Sequence, residues 1–441
     1  MTDALVESDP RFRTDQPASF KPSSPMSEVT AEVKAGGLDV FDLVFFALVA
    51  VVTTAGPWLR EAGALGFGAF AIGCLIYATL RKTLFEWNWF LAFSCLGVSY
   101  ALLSYLSVFP KVWTLYHEPS AIPLQSAFVW TFYPILAAFR AFFVRTFRSE
   151  RASYLYATLF VLNLTVSPFL EWMIAPLHLQ DQGVLLMVFS NLMNSEAAMF
   201  LSLAHLTMAR RNNVLMYTAF LFTIASLFLD ISIQIYISLV MFVSLHLRPL
   251  SRWVFSGSIV AFTLAYVFGV LFVEMSDFVD IDRNTAIRAY MLFDAIDLFL
   301  GSYGLGIGFG KELVSNIYLT MDIMTLYNED DIILGGVHNS FISMFARLGL
   351  IGGVLFALAV VKTAWPSSRP TPVREPAYFA FVMAYVSCWV NVGVESPLAS
   401  IGTALLLGYV MAARDFASNA EADGAADRTA DGSEEPVPRH A

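Results

Sequence analysis

Residue types that suit the binding of a phosphate gather between positions 280 and 353. Arg288 can offer a planar fork of donors to a phosphate. The stretch GSYGLGIGFGKE follows it and carries five glycines before Lys311. Glycines allow close backbone approach, and successive free N–H groups can cradle a phosphate. His338 then opens the apolar segment HNSFISMFARLGLIGG. Together these groups could bind an anionic substrate and hold a base beside it.

Each of these features also has a purely structural interpretation. Arg288 could be an interfacial side chain that snorkels to lipid headgroups. Gly306 and Gly308 could belong to a flexible turn between two surface helices. A nucleotide-binding loop is disfavoured because no strand precedes the glycines. The acidic run 329–331 lacks any metal-ligand pattern around it, so we read it as a solvated charge run and expect no metal.

His338 is placed where its chemistry could be tuned by a helix. Asn339 or Ser340 can cap the N-terminus of the helix that follows. The helix dipole there disfavours the imidazolium, so a neutral ring could act as a base near pH 7. Arg347 comes nine residues later, which is about 900° of rotation and about 13 Å of depth. We therefore expect Arg347 to face away from His338 and to pair with a buried acid or polar group in the bundle.

The element that must position Arg288 is a helix over residues 283 to 300. Its apolar residues recur at helical spacing beside Arg288, Asp294 and Asp297. The spacing predicts a helix that lies on the membrane surface or dips into it. The apolar stripe comprises Ile287, Met291 or Leu292, Ala295 or Ile296, and Phe299.

Composition places the whole chain in a bilayer. Hydrophobic residues make up 57% of the 441 positions and charged residues only 14%, against roughly 25% charged in soluble domains. No basic patch indicates a nucleic-acid partner. The three cysteines fall in apolar segments at unrelated spacings, so neither a disulfide framework nor a metal site follows. The sequence predicts an all-α polytopic membrane protein.

Apolar segments long enough to cross about 30 Å of hydrocarbon recur along the chain. The stretch 213–247 is too long for one crossing and holds Asp230 near its middle, so we divide it into two helices. The prediction is about twelve transmembrane helices, at 39–57, 63–80, 88–109, 127–145, 153–174, 184–207, 213–228, 231–247, 253–274, 338–362, 376–393 and 397–413.

Basic residues at the ends of these segments set the orientation, because short cytoplasmic loops collect Lys and Arg. Their distribution places both termini in the cytoplasm. The predicted organisation is a disordered cytoplasmic tail (1–38), transmembrane helices 1 to 9 (39–274), a periplasmic loop with short helices (275–337), transmembrane helices 10 to 12 (338–413) and a second disordered tail (414–441).

Three further polar residues call for a role. Glu196 lies within an apolar segment and could line a substrate path or belong to a structural network. Arg140 has the same two options, and snorkelling to the interface is the favoured interpretation. Glu395 lies in a short external turn and could reach the loop site, but a turn acid is the simpler interpretation.

The order of these residues resembles a known family. An Arg near the start of a periplasmic helix, a G-x-G turn, then H-N-S-F followed by L-G-L-I-G-G is similar to the signature of the O-antigen ligase and Wzy-type polysaccharide polymerase superfamily. The resemblance covers residues 283 to 353, and the predicted topology agrees over most of the chain. It implies a GT-C-like membrane fold and a metal-independent, inverting glycosyltransferase without a cofactor, in a bacterial inner membrane, with its active site in the periplasm.

The resemblance also assigns roles. Arg288 would hold the diphosphate leaving group of a polyprenyl-diphosphate-linked oligosaccharide, and His338 would deprotonate or orient the acceptor hydroxyl. Arg283 and Lys311 are supporting cations, and Gly306, Gly308 and Asn339 are expected to contact the diphosphate or the glycan. Arg347 and Glu196 are expected to be structural polar residues in the membrane.

The chain departs from the family at two places. Members often carry an acid where this sequence has Arg347. Many also carry Thr-x-Ser-Arg at the start of the eighth helix, where this chain reads LDISIQ over 229–234. The second phosphate-binding Arg is therefore missing, and Arg283, Lys311 or Arg60 must replace it if the chemistry is kept.

The favoured function is polymerisation of an exopolysaccharide or surface glycan, since the acidic loop offers no basic surface for an anionic core acceptor. A ligase or a protein O-oligosaccharyltransferase would use the same donor. A lipid-linked sugar flippase is the alternative from another class, disfavoured because we find no internal repeat. Expected partners are the lipid-linked donor and acceptor, membrane lipids and a chain-length regulator.

Overall fold

The computed structural model describes residues 39–54, 63–106, 121–149, 251–272, 283–311, 313, 337, 339–390, 394–395 and 397–430. Every regular element within these residues is helical, and none of them forms a strand. The predicted all-α class is therefore confirmed for this part of the chain. The predicted spans at 153–174, 184–207, 213–228 and 231–247 lie outside it, as does the tail at 1–38.

The helices of the described residues follow in chain order. They are α1 (Val40–Thr54), α2 (Gly63–Leu80), α3 (Trp89–Tyr105), the short α4 (Ile122–Gln125), α5 (Ala127–Arg148), α6 (Arg252–Phe272), α7 (Arg283–Gly301), α8 (Ser340–Leu358), α9 (Arg374–Val390) and α10 (Pro397–Ala430). A π-helical turn, Ala359–Thr363, continues α8.

Two of these helices are long and apolar enough to cross a membrane. They are α5 with 22 residues and α8 with its π-helical turn, 24 residues in all. Both exceed the length that about 30 Å of hydrocarbon requires. Apolar but shorter helical segments occur at Val40–Val49, Gly66–Leu80, Trp89–Tyr105 and Arg252–Val267. Two such spans among the described residues do not establish the predicted count of twelve.

Helices α5 and α10 form the centre of the main core. Gly408 on α10 lies so close to α5 that an added Cβ would stand 2.7 Å from the Phe139 Cβ and 3.0 Å from the Arg140 nitrogen. This close approach packs Tyr409 edge-on against Phe143 and Phe147, with ring centroids 5.2 and 4.9 Å apart. A small residue at the crossing thus lets large aromatic side chains fill the space around it.

A charged network joins α1, α2 and α5 at one end of the bundle. Asp42 is fully buried in the first turn of α1, yet it accepts from Arg81 (2.7 Å), Arg145 (2.7 Å) and Tyr77 (2.7 Å). Asp39, just before α1, also pairs with Arg81, at 2.5 Å. The buried carboxylate is fully supplied with donors, as a buried charge must be.

The C-terminal boundary differs from the prediction. We expected a disordered tail from residue 414, but α10 continues to Ala430. The segment is rich in alanine, which favours helix, and its first part is anchored: Asp415 pairs with Arg140 at 2.6 Å, and the Arg414 guanidinium donates to the Lys362 carbonyl at 2.6 Å. Local propensity and these contacts carry the helix past the end of the apolar run.

Helix α7 matches the helix predicted over 283 to 300. It packs beside α8 through a small second core that contains Met291, Leu292 and Val337. Near the end of α7, Phe299 lies edge-on to Phe345 at 5.8 Å. The second half of α7 therefore packs beside the first turns of α8.

Candidate functional site

Helix α8 is broken at Gly349, and the glycine turn fills the break. Gly349 has φ 68° and ψ −170°, outside any helical conformation. The Ala346 carbonyl, which would accept from Leu350 in a regular helix, accepts instead from Ile307 at 2.9 Å. Leu350 in turn donates to the Gly304 carbonyl at 2.8 Å. The turn after α7 thus replaces hydrogen bonds that α8 gives up.

Two glycines make this contact possible. A Cβ on Gly306 would lie 2.3 Å from the Gly349 nitrogen, and a Cβ on Gly349 would lie 2.4 Å from the Leu305 oxygen. Both clashes are with backbone, which cannot move aside as a flexible side chain can. The sequence prediction treated the glycines as a flexible turn or a phosphate cradle, and did not foresee that they pack against a helix break.

The backbone N–H groups of this turn are engaged within the protein. Gly306 donates to the Ser302 hydroxyl at 2.9 Å, and Gly308 donates to the Arg347 carbonyl at 2.9 Å. The next two N–H groups bond to Ser104 Oγ and Gln125 Oε1. A phosphate could use the N–H groups of Gly306 and Gly308 only after the turn opened. Their predicted contact with a diphosphate or glycan stays a prediction.

Arg347 is directed at the same turn. Its side chain is buried, and Nη1 donates to Gln125 Oε1 (3.1 Å), the Lys311 carbonyl (3.2 Å) and the Gly308 carbonyl (3.4 Å). Its guanidinium also lies over the Phe309 ring, 5.7 Å from the centroid. All three acceptors thus lie around one nitrogen of the guanidinium. Arg347 therefore links α8 to the glycine turn and to the residue that ends α4.

Asn339 caps α8, as the sequence predicted. Its backbone is extended and its Oδ1 accepts from the Ile342 N–H at 3.0 Å. The next residue, Ser340, donates its hydroxyl to Glu395 Oε2 at 2.5 Å and accepts from the Val394 N–H at 3.1 Å. The turn between α9 and α10 is thereby fixed to the first residue of α8.

Three buried polar atoms at this helix start have no hydrogen-bond partner among the described residues. They are Asn339 Nδ2, Ser343 Oγ and Glu395 Oε1. Burial raises the pKa of the Glu395 carboxyl, and the hydroxyls of Ser340 and Ser343 oppose that shift. Ser343 is close enough to influence this carboxyl, but its geometry falls short of a hydrogen bond. Buried polar groups are normally paired, so this helix start offers donors and acceptors to which a further polar group could bond.

The structure describes only some of the predicted site residues. His338 lies outside the described residues, between Val337 and Asn339, which are both buried. Arg283 and Arg288 lie on α7, where the structure describes the helix but not their side chains. Glu196 lies outside the described residues.

Lys311 and Arg288 each lie a few residues before a member of the small second core, Leu313 and Leu292 respectively. Lys311 is half-buried at the end of the glycine turn, and burial lowers its pKa. Arg288 is one turn before Leu292, which shares a core cluster with Val337.

Sequence reasoning gave Glu395 too small a role. It was interpreted as a turn acid, whereas its carboxyl bonds to the first residue of α8. The sequence does mark this residue, because Glu395 is the single acid of NVGVESPLAS, lies between two apolar helices and has no neighbouring base in sequence. Gln125, which accepts from Arg347 and Gly310, carried no such signal.

Within the described ranges, no group of three or more His, Cys, Asp and Glu side chains could hold a metal ion. No protein-family model matches this sequence, and no curated protein is significantly similar to it.

Proposed function

We propose that this chain is a polytopic membrane glycosyltransferase that joins polyprenyl-diphosphate-linked repeat units into a surface polysaccharide at the periplasmic face of a bacterial inner membrane. The membrane location is supported by the outward faces of the helices. Phe41 on α1, Ile72 on α2, Leu102 on α3 and Ile351 on α8 are 55, 57, 61 and 64% exposed. Large apolar side chains exposed on several helices suit contact with lipid.

The observation that carries the proposed activity is the incomplete polar cluster at the start of α8. Asn339 Nδ2 can donate, Glu395 Oε1 can accept, and Ser343 Oγ can do both. Sugar hydroxyls also donate and accept, so they match this set. The cluster directly follows His338 in the chain and faces the turn between α9 and α10. A glycan acceptor bound there would contact Asn339, the residue that follows His338 in the chain.

The proposed reaction is a displacement at the anomeric carbon of the donor sugar. The acceptor hydroxyl oxygen attacks the anomeric carbon of the donor sugar and forms the new glycosidic bond. The bond between that carbon and the diphosphate oxygen breaks, and its electron pair leaves with polyprenyl diphosphate. His338 takes the hydroxyl proton, and Arg288 stabilises the charge that develops on the diphosphate. Attack opposite the leaving group inverts the anomeric configuration.

The packing of α7 on α8 supports the pairing of these two roles. The second half of α7 packs beside the first turns of α8, and we place Arg288, one turn before Leu292, within reach of a diphosphate bound near His338. Arg283 lies at the first residue of α7, and Lys311 closes the glycine turn. Either could provide the second positive charge that a diphosphate requires. Glu395 has a positioning role in this proposal, because its hydrogen bond to Ser340 holds the first residue of α8 in place.

The experiment uses cells that carry His338→Ala or Arg288→Ala at normal expression. Both variants are expected to lose long surface glycan and to accumulate single lipid-linked repeat units, because the bond between the sugar and the diphosphate is no longer broken. His440→Ala and Arg439→Ala change the same residue types near the C-terminus and are the matched controls. Wild-type polymer length in His338→Ala or Arg288→Ala would refute the role proposed for the substituted residue.

The nature of the accumulated intermediate separates the alternatives. Loss of a ligase would leave finished polymer on the lipid carrier. Loss of a protein O-oligosaccharyltransferase would leave intact polymer and unglycosylated protein. Loss of a flippase would leave lipid-linked units on the cytoplasmic leaflet, where an externally added glycosidase cannot reach them.

A further inference from the structure

An apolar cavity of about 400 Å³ opens between α3 and α5, beside the loop that joins α2 to α3. Its lining includes Leu84, Leu91, Ser94, Val98, Trp130 and Pro134. Nearly all of the lining is hydrocarbon or aromatic. The cavity is open on one side, where Phe85 and Trp130 are exposed. Its size and chemistry suit part of a hydrocarbon chain.

Ser94 is the exception within this cavity. The residue is only 7% exposed, and its Oγ has no hydrogen-bond partner among the residues that the structure describes. A serine in a helix usually donates to the carbonyl four residues back, as Ser99 does to Cys95 at 2.9 Å. An unpaired hydroxyl in an apolar cavity is costly. The Ser94 hydroxyl is therefore a donor that an oxygen acceptor of a bound ligand could satisfy.

A second cavity, of about 410 Å³, lies further along the same face of α5 and is charged. Its lining includes Arg81, Arg140 and Arg145, together with Glu86 and Asp415. Tyr133 lines the apolar cavity and Arg140 the charged one. They are seven residues apart, which is about two turns and about 10 Å along one helix face. An apolar space and a charged space thus follow one another along α5, in the order that an amphiphile requires.

The loop between the two cavities is held at the junction. The Tyr133 hydroxyl donates to the Leu84 carbonyl at 2.8 Å, and the Thr83 hydroxyl donates to the Ala137 carbonyl at 3.1 Å. Leu84 faces the apolar cavity and Glu86 the charged one. The junction is therefore a fixed part of the fold.

Arg140 has one firm partner and one that a ligand could replace. Its Nε pairs with Asp415 at 2.6 Å, and its Nη1 pairs with Glu86 at 2.5 Å. The Glu86 side chain is 49% exposed, and exposed ion pairs contribute little to stability. A phosphate could displace the Glu86 carboxylate at low cost, while Asp415 would keep the guanidinium in place. Phosphate also accepts from an arginine fork with good geometry.

We propose that these adjoining cavities bind one anionic glycerophospholipid, with an acyl chain between α3 and α5, an ester carbonyl on the Ser94 hydroxyl, and the phosphate at Arg140 in place of Glu86. The site lies at the end of the bundle that carries the Asp42 network, away from Asn339 and Glu395. It rests on the proposed membrane location and is independent of the proposed glycosyl transfer.

The test measures lipid binding to the purified full chain by native mass spectrometry. Dioleoyl phosphatidylglycerol is compared with dioleoyl phosphatidylcholine, which has the same chains and a zwitterionic headgroup. The wild-type chain is expected to bind phosphatidylglycerol several-fold more tightly, because both lipids offer the phosphate but the choline cation of phosphatidylcholine would lie beside Arg81, Arg140 and Arg145. Equal binding of the two lipids would overturn the headgroup assignment.

A cavity-filling variant tests the acyl-chain site. Ser94→Leu fills the cavity and removes the unpaired hydroxyl, so it should not destabilise the fold. It is expected to reduce phosphatidylglycerol binding about tenfold or more. Ser99→Leu adds the same side chain at an exposed position of the same helix and should bind like wild type. Equal retention of phosphatidylglycerol by both variants would overturn the acyl-chain site.

Two further measurements complete the test. Glu86→Gln removes the competing carboxylate and is expected to tighten phosphatidylglycerol binding; weaker binding would contradict the displacement of Glu86. Inorganic phosphate at the lipid concentration should not compete, and competition would show an anion site that needs no lipid. Ser94→Leu is expected to leave glycan chain length unchanged, so a failure of the lipid site and a failure of the His338 experiment are distinguishable.

Discussion

Replacement of Gly349 by alanine tests whether the glycine turn and the break in α8 form one structural unit. Gly349 combines φ 68° with ψ −170°, a conformation that is essentially restricted to glycine and costs other residues about 2 kcal/mol. The new Cβ would also lie 2.4 Å from the Leu305 oxygen and 2.6 Å from the Gly304 oxygen. The turn would have to move away from α8.

That movement breaks backbone hydrogen bonds. Two bonds between the turn and α8 would break first. They are the bond from Leu350 to the Gly304 carbonyl (2.8 Å) and the bond from Gly308 to the Arg347 carbonyl (2.9 Å). At roughly 1 kcal/mol each, their loss and the backbone strain together amount to about 4 kcal/mol. Domains are typically stable by only about 5–15 kcal/mol. The substitution should therefore remove a large share of the stability.

The assay is thermal unfolding of the purified full chain, with hydrogen exchange of the peptide containing Leu350 as a local measure. Gly349→Ala is expected to lower the melting temperature by several degrees and to speed exchange at Leu350. Gly68→Ala is the matched control, because nothing lies within 4 Å of a Cβ built there and alanine favours helix. A melting temperature for Gly349→Ala equal to that of Gly68→Ala would refute the coupling of turn and break.

Three further substitutions test the buried polar groups. Burial raises the folded-state pKa of Glu395, so its stabilising effect is complete below the unfolded value of about 4.3 and is lost as pH rises through the folded value. Glu395→Gln lacks this loss, so its melting temperature should gain on wild type as pH rises from 4 to 8, and a constant difference would contradict the burial argument. Asp42→Asn should lower the melting temperature, since the guanidinium groups of Arg81 and Arg145 lose their shared carboxylate; a wild-type value would show that the network is not stabilising. Arg347→Lys should also melt earlier and expose the glycine turn to proteolysis, because a lysine ammonium cannot reproduce the contact of the planar guanidinium with the Phe309 ring, whereas wild-type resistance would show that charge alone suffices.

The local features of the candidate site followed from the sequence. The spacing of apolar residues predicted α7, and the Asn339 side chain predicted the start of α8. Both depend on bonds between residues a few positions apart, which a local pattern encodes. The same reasoning failed at the end of α10, because an apolar run was taken as the limit of the helix. Alanine propensity and the contacts of Asp415 extended it.

The partners of the buried polar groups depended on the tertiary structure. Arg347 bonds to Gln125, which is 222 positions away, and Ser340 bonds to Glu395 across 55 positions. No periodicity relates such pairs, since the partner is whichever acceptor the packing of other helices brings within reach. Burial then makes each pairing obligatory, because an unpaired polar group in the core is costly.

The sequence by itself determined the apolar composition of this protein, the helical character of the part that the structure describes, and the stretch in which its polar residues gather. Composition and spacing suffice for that, because helices satisfy their own backbone and their burial follows from residue type. Only the tertiary structure decided what the glycines do. The N–H groups of Gly306 and Gly308 donate to the Ser302 hydroxyl and the Arg347 carbonyl. Gly306 and Gly349 pack against each other where α8 is broken. A glycine motif permits close approach, but the approaching partner is set by the fold.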